Sequence, residues 1–180
     1  MSTSRKASVL LVVAALAGCA TNSDQSLTAP AQRLDAAGGG VSQSVTGHAN
    51  MQLPSFGNAV QRYSQSAIRH SDGTVSGEFE LKSDQDDGVR LHGEVTCFTI
   101  VGNAARLAGE LDQSNADFAP VGTYVLWTIV DNGEGGNAPP DLTTDFIGGV
   151  SAATAAAHCN TGFNLGPFLP VMSGNLQVHS

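Results

Sequence analysis

Cations are scarce in this sequence. Only Lys6 and Lys82 are lysines, and basic residues number eight against sixteen acidic ones, a formal net charge of −8 over 180 residues. Without Arg5 and Lys6 the balance is six against sixteen, or −10. No basic cluster exists anywhere along the chain, and such a surface repels phosphate backbones, which argues against a nucleic-acid partner. Charge of either sign is also thin, at 13% of residues. That fraction excludes a disordered polyelectrolyte, while 21 glycines suit a fold with many tight turns. The five histidines, His48, His70, His92, His158 and His179, show no metal-ligand spacing. There is no Gly-x-Ser-x-Gly elbow, no phosphate-binding Gly-Lys loop and no Cys-x-x-Cys pair. No enzyme signature is present.

The start of the chain reads as an address. Residues 1–6 are polar and carry Arg5 and Lys6, and residues 7–18 are almost wholly apolar. That run is too short for a permanent membrane helix, which needs about 20 residues. Leu16-Ala17-Gly18-Cys19 closes it and resembles a bacterial lipobox. The resemblance implies cleavage before Cys19 and diacylglyceryl modification of its sulfur. An ordinary secretory signal with a chance cysteine is the alternative. Ala20 after the cysteine resembles the outer-membrane sorting pattern of a two-membrane bacterium. The expected organisation is a signal peptide over 1–18, lipidated Cys19 and a flexible linker over 19–44, and a folded domain over 45–180. The linker is rich in Ser, Thr, Gln and Ala with a Gly38-Gly39-Gly40 run, and a short helix over 30–37 is the one structured element it could hold. The partner this implies is a membrane of the bacterial envelope, reached through the lipid.

From Val45 the texture changes to short alternating runs separated by Gly, Asn and Asp. The stretch 74–82 alternates cleanly, with Val75, Gly77, Phe79 and Leu81 on one face and Ser76, Glu78, Glu80 and Lys82 on the other. That period of two is the mark of a pleated strand. Residues 89–101 read as a central strand by the same rule, which places Cys97 on the face of Val95, toward the core. Pairing these two strands with Glu80 opposite Arg90 and Glu78 opposite His92 avoids like charges in register, so that register is expected. Residues 122–131 are apolar on both faces and predict a strand covered on both sides. Residues 142–147 and 174–180 read as further strands, and 150–171 as a long insertion; only 149–157 hints at a helical period. About eight short strands joined by turns predict an all-β fold, a single small antiparallel β-barrel or sandwich. Gly77, Gly93 and Gly109 recur sixteen residues apart and would let such a sheet coil tightly.

With Cys19 lipidated, Cys97 and Cys159 remain, an even number in an exported chain, so a disulfide is the leading reading. Two buried thiols or a Cys–His metal site are the alternatives. The loop 131–141 offers Asp131, Glu134, Asn137 and Asp141 as hard oxygen ligands among glycines, a donor set suited to Ca²⁺. Its spacing is not that of an EF-hand, and a glycine-rich connection with an Asn-Gly turn is the plainer reading. Glu78, Glu80, Glu94 and Glu110 with His92 could form an acid–base cluster if a cleft gathered them; a solvated sheet face is the simpler expectation. Trp127 and Tyr124 read as core.

His92-Gly-Glu-Val-Thr-Cys97, Val101-Gly-Asn103, Val121-Gly-Thr123, Trp127, Asp131-Asn-Gly-Glu-Gly135, Asn137-Ala-Pro-Pro-Asp141 and Gly174-Asn-Leu-Gln-Val-His179 together resemble the pattern of a family of uncharacterised bacterial exported proteins. The resemblance covers most of 45–180 and departs from the pattern at Ala108, where a glycine is expected. It implies an exported β-domain with a Cys97–Cys159 bridge and carries over no catalytic residue. The functional expectation is therefore a lipid-anchored, non-enzymatic binding or structural β-domain without a cofactor and with a protein or glycan partner. A Ca²⁺-dependent or carbohydrate-binding module using the 131–141 loop is the first alternative. An envelope hydrolase using Glu78, Glu94 or His92 is the second.

Overall fold

The structure is a computed structural model and describes residues 40–85, 88–162 and 165–180. Cys19, the signal peptide and the short helix expected over 30–37 lie outside the described residues. The strands are β1 (Val41–Leu53), β2 (Ala59–His70), β3 (Val75–Ser83), β4 (Val89–Val101), β5 (Ala104–Ser114), β6 (Tyr124–Val130), β7 (Leu142–Thr143), β8 (Ile147–Val150), β9 (Leu169–Pro170) and β10 (Ser173–His179). One helix, α1 (Ala152–Thr161), follows β8. The strands form one antiparallel sheet in the order β10-β1-β2-β3-β4-β5-β6-β7-β9, with β8 also on β6. The sheet curls into a half-barrel, so the fold is all-β as the alternation predicts.

The concave face holds the core. β1 contributes Val45, Ala49 and Met51, β3 Phe79 and Leu81, and β6 Val125, Trp127 and Ile129, all nearly inaccessible. At about 25 cal/mol per Å² of apolar surface, this burial is the main force holding the curl. Glycine makes the curl possible at its tightest point. The Phe79 ring lies over Gly93 and Gly109, and a Cβ on Gly109 would fall 2.4 Å from that ring. β2 alternates weakly in sequence because it sends Gln61 and Gln65 inward beside Tyr63 and Ala67. Trp127 Nε1–H donates to Gln65 Oε1 at 2.5 Å, while the buried Gln65 Nε2 has no hydrogen-bond partner.

Several details differ from the sequence reading. β1 begins at Val41, so residues 41–44 belong to the sheet rather than the linker. They pair with the end of β2, where the Ser42 hydroxyl donates to the Arg69 carbonyl and Arg69 Nε donates to Gln43. β3 and β4 take the other register, with Glu78 opposite Glu94, Glu80 opposite His92 and Lys82 opposite Arg90. These like charges are exposed, where repulsion is weak. Lys82 is neutralised along its own strand by Glu80 at 2.7 Å, and the register seats Ser83 against Val89, both buried.

The third correction concerns Cys97. β4 and β5 slip by one residue between Val95 and Cys97, a bulge at Thr96 that reverses the alternation beyond it. Val95 and Phe98 therefore face the core, while Cys97 faces outward. There it meets α1. Cys97 and Cys159 form a disulfide with Cα atoms 6.3 Å apart, which staples the insertion to β4. Ala108, Leu126, Ala155 and Cys159 make a second small core beneath the helix. Ser151 caps α1 by accepting the Thr154 amide, and Gly162 ends it in a left-handed conformation. β6 is thus covered on both faces, by the concave core and by α1, as its unbroken apolar run predicts.

The single strand expected over 142–147 is two, β7 and β8, both on β6. Thr144 sits between them and bonds Thr128 twice, its amide to the carbonyl at 2.9 Å and its hydroxyl from the amide at 3.0 Å. The interruption frees the next two residues, Asp145 and Phe146, from the ladder.

Candidate functional site

The aspartate loop works as a clasp. Asp131 accepts from the Val178 amide at 3.0 Å with one oxygen and from the Gly133 amide at 2.8 Å with the other. Asp141, 9% exposed, accepts from the Leu176 amide with one oxygen and from Asn132 with the other, both at 2.9 Å. Glu134 takes the side-chain amides of Asn175 and Gln177. Three of the four sequence-nominated Ca²⁺ ligands thus engage β10 or its neighbours, and Asn137 lies exposed in the same loop. Among the described residues no three His, Cys, Asp or Glu side chains gather as a metal site. Carboxylates accept such amides well because the charge strengthens each bond.

The acid–histidine set lies on the opposite, outer face of the sheet. His92 Nδ1 is 2.7 Å from Asp112 and Nε2 is 3.9 Å from Glu78. The Asp112 contact raises the imidazole above its ordinary value, against a smaller opposing effect of desolvation. Glu78 is three-quarters exposed. Glu94 and Glu110 face each other across β4 and β5, and Tyr124 donates to Glu110 at 2.8 Å. Two open depressions of about 300 and 360 Å³ lie on this face, both lined by Glu78 and His92 and the second also by Glu94 and Asp112.

A more apolar cavity lies elsewhere. The freed pair Asp145-Phe146 turns to the concave side at one end of the half-barrel. Phe146 stacks on Trp127 with ring centroids 4.9 Å apart, and Tyr63 meets it edge-on at the same distance. Burial holds the Tyr63 phenol far above its usual range; the Thr143 hydroxyl opposes this and the Asp141 charge adds to it. Beside Phe146 is a cavity of about 320 Å³. Comparison with protein-family models, curated proteins and solved structures finds no match to this chain. The cavity has to be read from its own residues.

Its inner lining is apolar, from Leu81, Val89 and Leu91. Its exposed rim carries Phe56, Phe118 and Ile147. Phe56 ends a short 3-10 turn, Pro54–Phe56, closed by left-handed Gly57. Phe118 is held by β8: a Cβ on Gly149 would come within 2.2 Å of its carbonyl, so only glycine lets that loop approach. Four polar residues also line the cavity, Gln61, Ser83, Gln85 and Asp145. Asp145 accepts the Phe146 amide at 2.7 Å, and desolvation nevertheless keeps its carboxyl above the usual carboxylate range. Gln61, 3% exposed, lies near enough to favour the Asp145 charge, but its Nε2 makes no hydrogen bond of normal geometry. An apolar cavity with few convergent polar groups and a perturbed carboxyl is the usual form of a small-molecule site. The sequence reading missed it. The available signal was two phenylalanines, Phe56 and Phe118, in otherwise polar loops.

Proposed function

We infer that this chain is a bacterial envelope lipoprotein, anchored through Cys19, whose β-domain is a non-enzymatic binding module for a small ligand. The observation carrying the binding reading is the cavity bounded by Leu81, Leu91 and Phe146, with Asp145 and Gln61 among its four polar residues. Nothing in it pairs a nucleophile with a base: the described histidines lie outside its lining, and its one carboxyl is isolated. The anchor reading rests on the lipobox at Leu16–Cys19 and on the tether after it.

The chain over 20–180, which omits the lipidated cysteine, mixed with the neutral apolar dye N-phenyl-1-naphthylamine should raise dye fluorescence saturably. Phe118→Asp, which puts charge on the exposed rim, should abolish that rise without unfolding the protein. Dye fluorescence equal to buffer with the unmodified protein would remove the binding reading. The anchor is tested apart from it: labelled palmitate should enter the exported wild type and not Cys19→Ala.

A further inference from the structure

We propose that the cavity beside Phe146 binds a small organic cation, its ammonium head against Asp145 and its apolar body along Leu81, Leu91 and Phe146. The inference deepens the binding reading above and rests on it. Asp145 is half-buried among apolar side chains, and no lysine, arginine or histidine of the described residues forms an ion pair with it. A carboxylate withdrawn from water without a counter-charge costs stability that a paired one recovers. The described lysine and arginines are engaged elsewhere: Arg62 with Asp84, Lys82 with Glu80, Arg69 with Gln43 and the Phe98 carbonyl, Arg106 beneath α1 at the Cys159 carbonyl, and exposed Arg90 opposite Lys82 within reach of the Glu80 charge. A cationic ligand would supply the counter-charge that these residues do not.

Gln61 lies beside the same carboxyl and favours its charged form. It is nearly inaccessible, lines the cavity and leaves its Nε2 unbonded. The rings of Phe56, Phe118 and Phe146 add faces that attract a cation, as aromatic cages do. Over residues 45–180 fourteen acidic residues stand against five basic ones, which draws cations toward the domain and repels anions. A carboxylate ligand would meet Asp145 and that field together. A neutral alcohol would leave the buried charge unpaired.

Trp127 is the chain's only tryptophan and stacks on Phe146, so its emission reports what touches that ring. The experiment titrates the same 20–180 chain with hexylammonium, hexanol and hexanoate, three probes of one length and three charge states. Hexylammonium should bind at least tenfold more tightly than hexanol, with hexanoate weakest. Asp145→Asn, which keeps an acceptor for the Phe146 amide, should bring hexylammonium down to the level of hexanol. Phe118→Ala should weaken both hexylammonium and hexanol, and hexylammonium by the larger factor. Hexanol matching hexylammonium, or Asp145→Asn leaving the preference intact, overturns the cation assignment while dye binding keeps the site. Failure of all three probes and of the dye removes the site as well.

Discussion

Phe146 lies nearly parallel to Trp127, with 16° between the ring planes. The contact joins the interruption in the β6 edge to the centre of the core, and the same ring lines the cavity. Phe146→Ala should cost about 2–4 kcal/mol, the range for a large ring removed from a partly accessible core site. Urea unfolding followed by Trp127 emission measures it, and the native emission should shift to the red as water reaches the indole.

Asp141 binds two backbone amides from two segments, Asn132 and Leu176. Asp141→Ala leaves both without a partner and should destabilise by about 2–4 kcal/mol. Hydrogen exchange at Leu176 should accelerate out of proportion to the core strands. Because the loop's oxygens already hold amides, millimolar Ca²⁺ should leave the melting temperature unchanged. A rise with Ca²⁺ would return the 131–141 loop to the Ca²⁺-dependent reading.

The Cys97–Cys159 bridge closes a sequence separation of 62 residues. Chain-entropy reasoning assigns such a loop roughly 4 kcal/mol. Reduction should therefore lower the melting temperature and expose α1 amides to exchange before those of β1 to β4. Retention of full α1 protection in the reduced protein would show that the apolar contacts under the helix suffice.

His92 gains a charge partner on folding, so its folded pKa lies above its unfolded value. Its contribution to stability is complete below the unfolded value near 6.5 and fades as pH rises through the folded one. Asp112→Asn should lower the His92 midpoint in an NMR titration. The stability effect should be small, since both side chains are well exposed.

Asp145 has the opposite sign. Burial raises its folded pKa, so the native state holds the proton more tightly than the unfolded chain does. Its ionisation costs stability at neutral pH, and the penalty disappears as pH falls through the folded value toward the unfolded one near 3.9. Asp145→Asn should melt no lower than wild type at pH 7, and the gap should narrow on acidification. A lower melting temperature would mean that the carboxylate is structural.

Alternation alone made the strands legible. Phe79 and Leu81 against Glu78 and Glu80 point to an inward and an outward face, and the unbroken apolar run through Trp127 points to a strand covered twice. A bulge leaves no such trace. One extra residue at Thr96 turns Cys97 outward, and strict parity through that point gives the wrong face while still pairing the right cysteines. The β3–β4 register was misjudged by weighing exposed charges above the buried fit of Ser83 and Val89. The cavity was hidden for another reason. Gln61, Phe118 and Asp145 lie far apart in the chain, and only the docking of a loop on Gly148 and Gly149 gathers them.

The clasp at β10 also bears on how the domain meets its neighbours. The final strand of a sheet ordinarily presents bare amides that a foreign chain can adopt as a template. Here Leu176 and Val178 hand those amides to Asp141 and Asp131. An incoming segment would have to displace two negative groups before it could zip on. In a crowded compartment, the rim that sheet proteins most need to guard is already shut by its own carboxylates.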